Sequence, residues 1–302
     1  MRQLAAGDVQ RNVISMFDKQ TPEQMVASVE HLVSLPDVYV QLDKTLKDPN
    51  HIIEDIVKIV SIDPAMCVRV LKVVNSSYYA LPNPVSSISV AVNLIGEREL
   101  HDMVMLASVV NSMSLLTDKK LDIVGFWRHS IRCGITARNL ARFQSRTGTE
   151  VLFLGGLLHD LGKLIIYKLR NKQYEEVEWL IESKKEQRYL AEQALLGYDH
   201  AILGALLTET WGLPDQLNEI IKFHHQPNLS LRFKQEAKLI NIADQLAYYV
   251  EWKKEEPSLD LEALPLEVYD YIIDMKIEID DLVNLLTNVK EQSQAIENSL
   301  YG

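Results

Sequence analysis

The sequence predicts an all-α protein, a multi-helical bundle, and three observations carry that prediction. Apolar residues recur at helical spacing along most of the chain, and no segment alternates polar and apolar residues over the length of a strand. In 302 residues there are 12 Gly and 10 Pro, too few for the many turns an all-β chain needs. A hydrophobic content of 47% with 24% charged residues excludes disorder, and no internal repeat suggests a fibre.

Residues 1–20 are polar and mixed and read as a loose leader. Helical structure is predicted to begin at Thr21-Pro22-Glu23-Gln24: a capping Thr, a Pro at the first helical position and a Gln at the third form a capping box. Met25, Val26, Val29 and Leu32 follow at helical spacing, and Leu35-Pro36 ends the run. A second helix carries Ile52, Ile53, Ile56, Ile59 and Val60. Asp63-Pro64 restarts the chain, with Met66, Cys67, Val70, Leu71 and Val74 on one stripe. Residues 75–84, with Pro82 and Pro84, form a constrained loop. Ser87 or Ser89 opens the next helix, Gly96 breaks it, and Met103 to Met113 is helical again.

The charged run 117–122, TDKKLD, is the expected boundary between an N-terminal helical half, 21–116, and a second half, 123–252. Helices are expected over 123–143, 149–169, 172–187, 199–210, 214–225 and 234–252. Residues 253–260 read as a solvated hinge. The tail, 261–302, carries Leu282, Val283, Leu285 and Leu286 at helical spacing and reads as one or two amphipathic helices, packed on the body or on a partner.

The net charge of −11 argues against broad binding to nucleic acid or anionic membrane. Cys67 and Cys133 lie far apart and read as free thiols of a reducing compartment. The N-terminus lacks the apolar core of a signal peptide, and no apolar run reaches the ~20 residues of a membrane helix. The expected location is the cytoplasm.

Of 8 histidines, five (His129, His159, His200, His224 and His225) fall in one stretch of the second half. His159-Asp160 follows the apolar run 151–158, so the pair is expected to be buried, and an unpaired buried carboxylate costs several kcal/mol (roughly 2–7 even for a neutral polar group). Lys163 follows one turn on, placed to neutralise Asp160 or to meet a phosphate. Asp244 lies among apolar residues in LINIADQLA. One member of the adjacent pair His224-His225 is expected to face solvent. These imidazoles and carboxylates, spread over five predicted helices, are either separately satisfied core groups or a mixed N/O metal site. Such a donor set suits Mn, Fe, Co, Ni or Zn. His31, His51 and His101 sit on polar faces or near turns and are given no function.

The series His129, His159-Asp160 and Asp244 resembles the HD superfamily of metal-dependent phosphohydrolases, which is all-α. With Lys163, His200, His224 and His225 it is similar to the HD-GYP branch, cyclic-dinucleotide phosphodiesterases with two or three metal ions. Asp63-Pro64, Asn75-Ser76, Leu94-Ile95-Gly96 and Trp211-Gly212-Leu213-Pro214, in order within residues 22–250, resemble the HDOD family, the HD-related output domain. The chain departs from HD-GYP where His224-His225-Gln226-Pro227 lacks the acidic and Gly-Tyr-Pro continuation. It departs again at Gly125, where metal-richer relatives place a Glu, so one or two metal ions are expected rather than three.

The resemblance implies a bacterial regulatory module that acts by binding a signalling partner or ligand, with Lys72, Asn75 and Ser76 beside the Pro-rich loop as a candidate partner surface. The alternative it implies is a metal-dependent phosphohydrolase or phosphodiesterase acting on a nucleotide. Then His129, His159, Asp160 and Asp244 bind a first metal, His200 with His224 or His225 a second, and Asp160 bridges them. Activated water would attack phosphorus while Lys163 stabilises the developing charge.

Overall fold

Thr21 and Gln24 form the reciprocal cap that their spacing predicts. Gln24 Oε1 accepts from Thr21 N at 2.9 Å, and Thr21 Oγ1 accepts from Gln24 N at 3.3 Å. This cap opens the first helix of a computed structural model that describes residues 20–79, 81–143, 150–250 and 264–301. Nearly all of the expected leader and the whole hinge at 253–260 lie outside those residues. The described residues contain no strand. The first helices are α1 (Pro22–Glu30), α2 (Asp37–Leu46), α3 (Ile53–Ser61), α4 (Pro64–Val74), α5 (Ile88–Ile95) and α6 (Glu97–Met113). There follow α7 (Ile123–Phe143), α8 (Glu150–Leu158), α9 (Leu161–Leu169), α10 (Asn171–Lys184), α11 (Arg188–Leu196), α12 (His200–Thr210), α13 (Asp215–Phe223) and α14 (Lys234–Tyr249). Two helices close the chain, α15 (Leu266–Asp274) and α16 (Ile279–Tyr301).

Most starts follow from local chemistry. Asp63 Oδ1 accepts from the backbone N–H groups of Ala65 and Met66 at 2.8 and 3.2 Å. Ser87, not Ser89, caps α5 by accepting from Val90 N. Gly96, at φ +85°, turns the chain from α5 into α6.

Three differences from the sequence reading have physical causes. Pro36, read as a stop, is also the cap of the unexpected helix α2: its ψ of 144° is extended, and α2 starts at the next residue. The unexpected α11 buries Ala191 and Glu192, so its inward face carries a carboxylate instead of an apolar stripe. The helix expected over 149–169 is two, α8 and α9, separated at His159 and Asp160.

The core is continuous from α1 to α16. α7 lies against α8 and α14, α9 against α12, and α12 against α13 and α1. Trp211 Nε1 donates to Val33 O at 3.0 Å, which ties the turn after α12 to the residues after α1. The tail packs on the body: α16 lies on α7 and α4. It buries Leu282, Leu285, Leu286 and Val289, and Arg128 Nε donates to Glu297 Oε2 at 2.8 Å. Asn75, read as part of a partner surface, instead clamps the Pro-rich loop: its side-chain amide donates to Val85 O at 2.7 Å and accepts from Val85 N at 2.6 Å.

His101 on α6 joins two carboxylates. Its Nε2 lies 3.6 Å from Asp43 Oδ1 of α2, and its Nδ1 lies 3.7 Å from Asp102 Oδ1. Burial disfavours the charged ring, but Asp102 and Asp43 outweigh it and raise the pKa to about 9. Because the folded value exceeds the unfolded one of about 6.5, the contribution is complete below that pH. It is lost as pH rises through about 9. At 1.36 kcal/mol per pH unit its ceiling is about 3 kcal/mol. Urea unfolding of His101→Gln from pH ~6 to ~10 is expected to show a shallower decline in stability than wild type. An unchanged slope refutes this assignment.

Candidate metal centre

The break between α8 and α9 is what aims the site. His159 follows the last residue of α8, and its Nδ1 donates to Gly156 O at 2.7 Å, supplying a donor where the final carbonyls of a helix have none. His224 does the same after α13, its Nδ1 donating to Ile221 O at 2.7 Å. Each ring thereby commits Nδ1–H to its own helix and turns Nε2 toward the space between helices. His200, the first residue of α12, commits Nδ1 to Glu192 Oε2 at 2.5 Å. The three imidazoles have 0% exposure.

Asp160, 2% exposed, stands in the middle. Its Oδ2 is 3.3 Å from His159 Nε2, 3.7 Å from His129 Nε2 and 2.5 Å from Lys163 Nζ. Its Oδ1 is 3.2 Å from His200 Nε2. Asp244 of α14 places Oδ1 2.9 Å from His129 Nε2 and 3.6 Å from His159 Nε2. His225 does not turn to solvent: it is half-buried, its Nε2 is 2.9 Å from His200 Nε2, and its ring stacks on Tyr189 at 4.8 Å. The structure thus brings together all seven residues marked as candidate ligands, and Lys163 with them. Solvent reaches the cluster at His129, Lys163 and Asp244, whose side chains are 24, 20 and 17% exposed.

The electrostatics are those of a place short of positive charge. Burial disfavours charge on His159, but Asp160 overrides it and holds the ring well above the ordinary histidine range. His200 is also raised, burial being outweighed by Glu192 and Asp160. Burial opposes ionisation of Asp160, yet His159 and Lys163 hold it well below the carboxylate range; Asp244 is held there by His129 and His159. His224 is pushed down to about 3 by burial and by its neighbours His159 and His200, and His225 falls with it, burial again leading. Two ionised carboxylates share their space with four imidazole rings, favouring protons on His159 and His200 while His224 and His225 stay neutral.

That arrangement fits a metal ion. Among the described residues, His159 Nε2, His224 Nε2 and Asp160 Oδ1 are buried atoms without a hydrogen-bond partner. Buried polar atoms are rarely left so. Donor atoms come within 4.8 Å of one another in three sets: His129, His159 and Asp244; His159, Asp160 and His224; His200, His224 and His225. All are N or O donors, the mix that suits the mid-series divalent metals.

Glu192 escaped the sequence reading. It lies eight residues before His200 and meets it because Gly197, at φ +87°, reverses the chain after α11. A Gly that ends one helix just before the capping Asp199 of another was the available signal. Asn241, one turn before Asp244, was also missed; its amide donates to His224 O at 2.7 Å.

The helices and the cluster together define an all-α domain with a polar centre assembled from α7, α8, α9, α12, α13 and α14. A model of the HDOD domain matches residues 32–227, and the chain belongs to the HDOD family. Among solved structures it is similar to an HDOD domain protein of Geobacter sulfurreducens, with 22% identity and a TM-score of 0.74 over 94% of this chain and all of that one. A proposed phosphohydrolase of Shewanella amazonensis SB2B shares 24% identity, with a TM-score of 0.73 over 91% of this chain and 97% of the other. At these identities the likeness is one of fold. An uncharacterized protein of Treponema pallidum (strain Nichols) is 24% identical over 201 residues, 65% of this chain; the chain spans 38% of that relative's length. No helix among the described residues is long and apolar enough to cross a membrane.

Proposed function

We propose that this protein is a regulatory HDOD protein of the bacterial cytoplasm whose His/Asp cluster holds one or two divalent metal ions and which acts by binding a signalling partner or a phosphate-bearing ligand. The observation that carries the reading is the set of orphaned buried atoms, His159 Nε2, His224 Nε2 and Asp160 Oδ1, turned toward one another. His129, His159 and Asp244 would hold a first ion; His200, His224 and His225 would hold a second. Asp160 stands between them with one oxygen toward each group. The half at 21–116 would meet the partner and the half at 123–252 would carry the ions. A solved structure of similar fold, from Marinobacter aquaeolei VT8, bears the description of a proposed signal transduction protein.

Full-length protein purified without added metal is expected to carry about one or two equivalents of Mn, Fe, Co, Ni or Zn by elemental analysis. A chelator should lower its Tm. One of these ions should restore it, by about 2.7 kcal/mol of stability at a free concentration near 100 times Kd. Sub-stoichiometric metal with no stabilisation by any of them overturns the reading.

Lys163 favours a second reading, a metal-dependent phosphohydrolase or phosphodiesterase acting on a nucleotide. Its ammonium sits on Asp160 at the solvent-reached side of the cluster, where a phosphate would approach. A bound divalent ion would supply Lewis-acid polarisation of a phosphoryl oxygen. Lys163 would add charge to the same oxygen, while His129, His159, Asp160 and Asp244 would hold the first ion and His200 with His224 or His225 the second. Turnover of nucleotides or phosphodiesters by the metal-loaded protein, lost in Lys163→Ala, selects this reading; stoichiometric metal without turnover selects the regulatory one.

A further inference from the structure

Glu192 is a buried carboxylate that the metal reading does not use as a ligand. Its exposure is 1%, and one oxygen, Oε2, accepts two hydrogen bonds from one residue, from His200 Nδ1 at 2.5 Å and His200 N at 2.8 Å. Its other oxygen, Oε1, lies 3.7 Å from Arg188 Nη1, and Arg188 pairs in turn with Glu178 of α10 through Nη2. A run of alternating charges therefore leads from α10 through α11 to the first residue of α12.

This contact decides which nitrogen of His200 faces the cluster as a donor. A neutral imidazole has one N–H and one lone pair, and the hydrogen bond made by one nitrogen fixes the role of the other. With Nδ1–H held by Glu192, it is His200 Nε2 that faces the cluster, 3.2 Å from Asp160 Oδ1 and 2.9 Å from His225 Nε2. His159 and His224 obtain the same result from carbonyls of their own helices. His200 cannot, because it stands at the start of its helix, where the free groups are N–H donors. The acceptor has to come from another element, and α11 brings it.

We infer that Glu192, through its hydrogen bond to His200 Nδ1, is a positioning residue that fixes the tautomer and ring orientation making His200 Nε2 a metal donor. The inference rests on the metal reading above for its consequence, but the tautomer itself can be read without metal. Glu→Gln retains an acceptor and removes its charge, whereas Glu→Ala removes the acceptor.

The test uses full-length wild-type, Glu192→Gln and Glu192→Ala proteins, each stripped with chelator. Nitrogen-15 imidazole spectra assign the His200 tautomer, and competition with a chromophoric chelator measures Zn affinity. In the metal-free wild type, taken to a pH at which the His200 ring is neutral, the one remaining proton is expected on Nδ1. Zn affinity is expected to fall 10–100-fold in Glu192→Ala and by less in Glu192→Gln. A metal-free wild type with the proton on His200 Nε2 overturns the inference. Equal Zn affinity in all three proteins also overturns it. If Glu192→Ala does not fold, the wild-type tautomer and the affinity of Glu192→Gln decide. If wild type binds no metal yet has the Nδ1–H tautomer, the metal reading fails while the placement of the proton by Glu192 stands.

Discussion

Asp160→Ala is expected to abolish metal binding: the metal-free and metal-supplemented proteins should unfold at the same temperature, and purified protein should carry no stoichiometric ion. Asp160 touches four members of the cluster through its two oxygens, His159, His129 and Lys163 on Oδ2 and His200 on Oδ1. Removing it withdraws a donor shared by both candidate ion positions, so the loss is not confined to one of them. It also strips Lys163 and the raised His159 of the carboxylate that holds their charge. Breaking a buried ion pair by removing one partner costs about 3–5 kcal/mol, so the metal-free variant should also be less stable than the metal-free wild type. Asp160→Asn keeps the shape and separates the two effects, since an amide oxygen is a weaker ligand and leaves less of a packing defect. Wild-type metal occupancy in Asp160→Ala shows the ligand assignment to be wrong.

The candidate ligands were legible in the sequence because metal chemistry constrains residue type, and five histidines with Asp160 and Asp244 stand out in a chain that has 8 histidines. Glu192 was not, because a carboxylate on a short polar helix reads as a solvated face. Only the reversal at Gly197, which depends on a positive φ, brings it back onto His200. The split of 149–169 into α8 and α9 was hidden for a related reason. No Gly or Pro stands at 159 or 160, and the chain turns there where the His159 side chain donates to Gly156 O. Helix α2 was missed through a double meaning of Pro36, which ends one helical run and precedes the next. Patterns of apolar residues give the helices whose faces are apolar. Elements that turn a polar group inward are visible only through their partner.

Among the described glycines, Gly162 is the one where an added methyl group is expected to do the most damage. Gly162 lies in α9 where α12 crosses it, and a Cβ there would stand 2.0 Å from His200 O and 2.9 Å from His200 Cα. Both are backbone atoms, so no side chain can swing aside; α9 and α12 must part. Asp160 precedes α9 and His200 begins α12, so parting them lengthens the 3.2 Å contact between Asp160 Oδ1 and His200 Nε2. Overpacking costs about 1–3 kcal/mol when side chains can adjust, and a clash with backbone belongs at or above the top of that range. Gly212→Ala is the fitting comparison. Gly212 has φ +70° with nothing within 4 Å of its Cβ position, so the substitution brings backbone strain alone, about 1–2 kcal/mol, well away from the cluster. Urea unfolding together with chelator competition for Zn should place the two variants apart. Gly162→Ala should lose stability and metal affinity together, while Gly212→Ala should lose some stability and bind metal as wild type does. A Gly162→Ala protein with wild-type metal affinity would show that the spacing of α9 and α12 does not hold the site together.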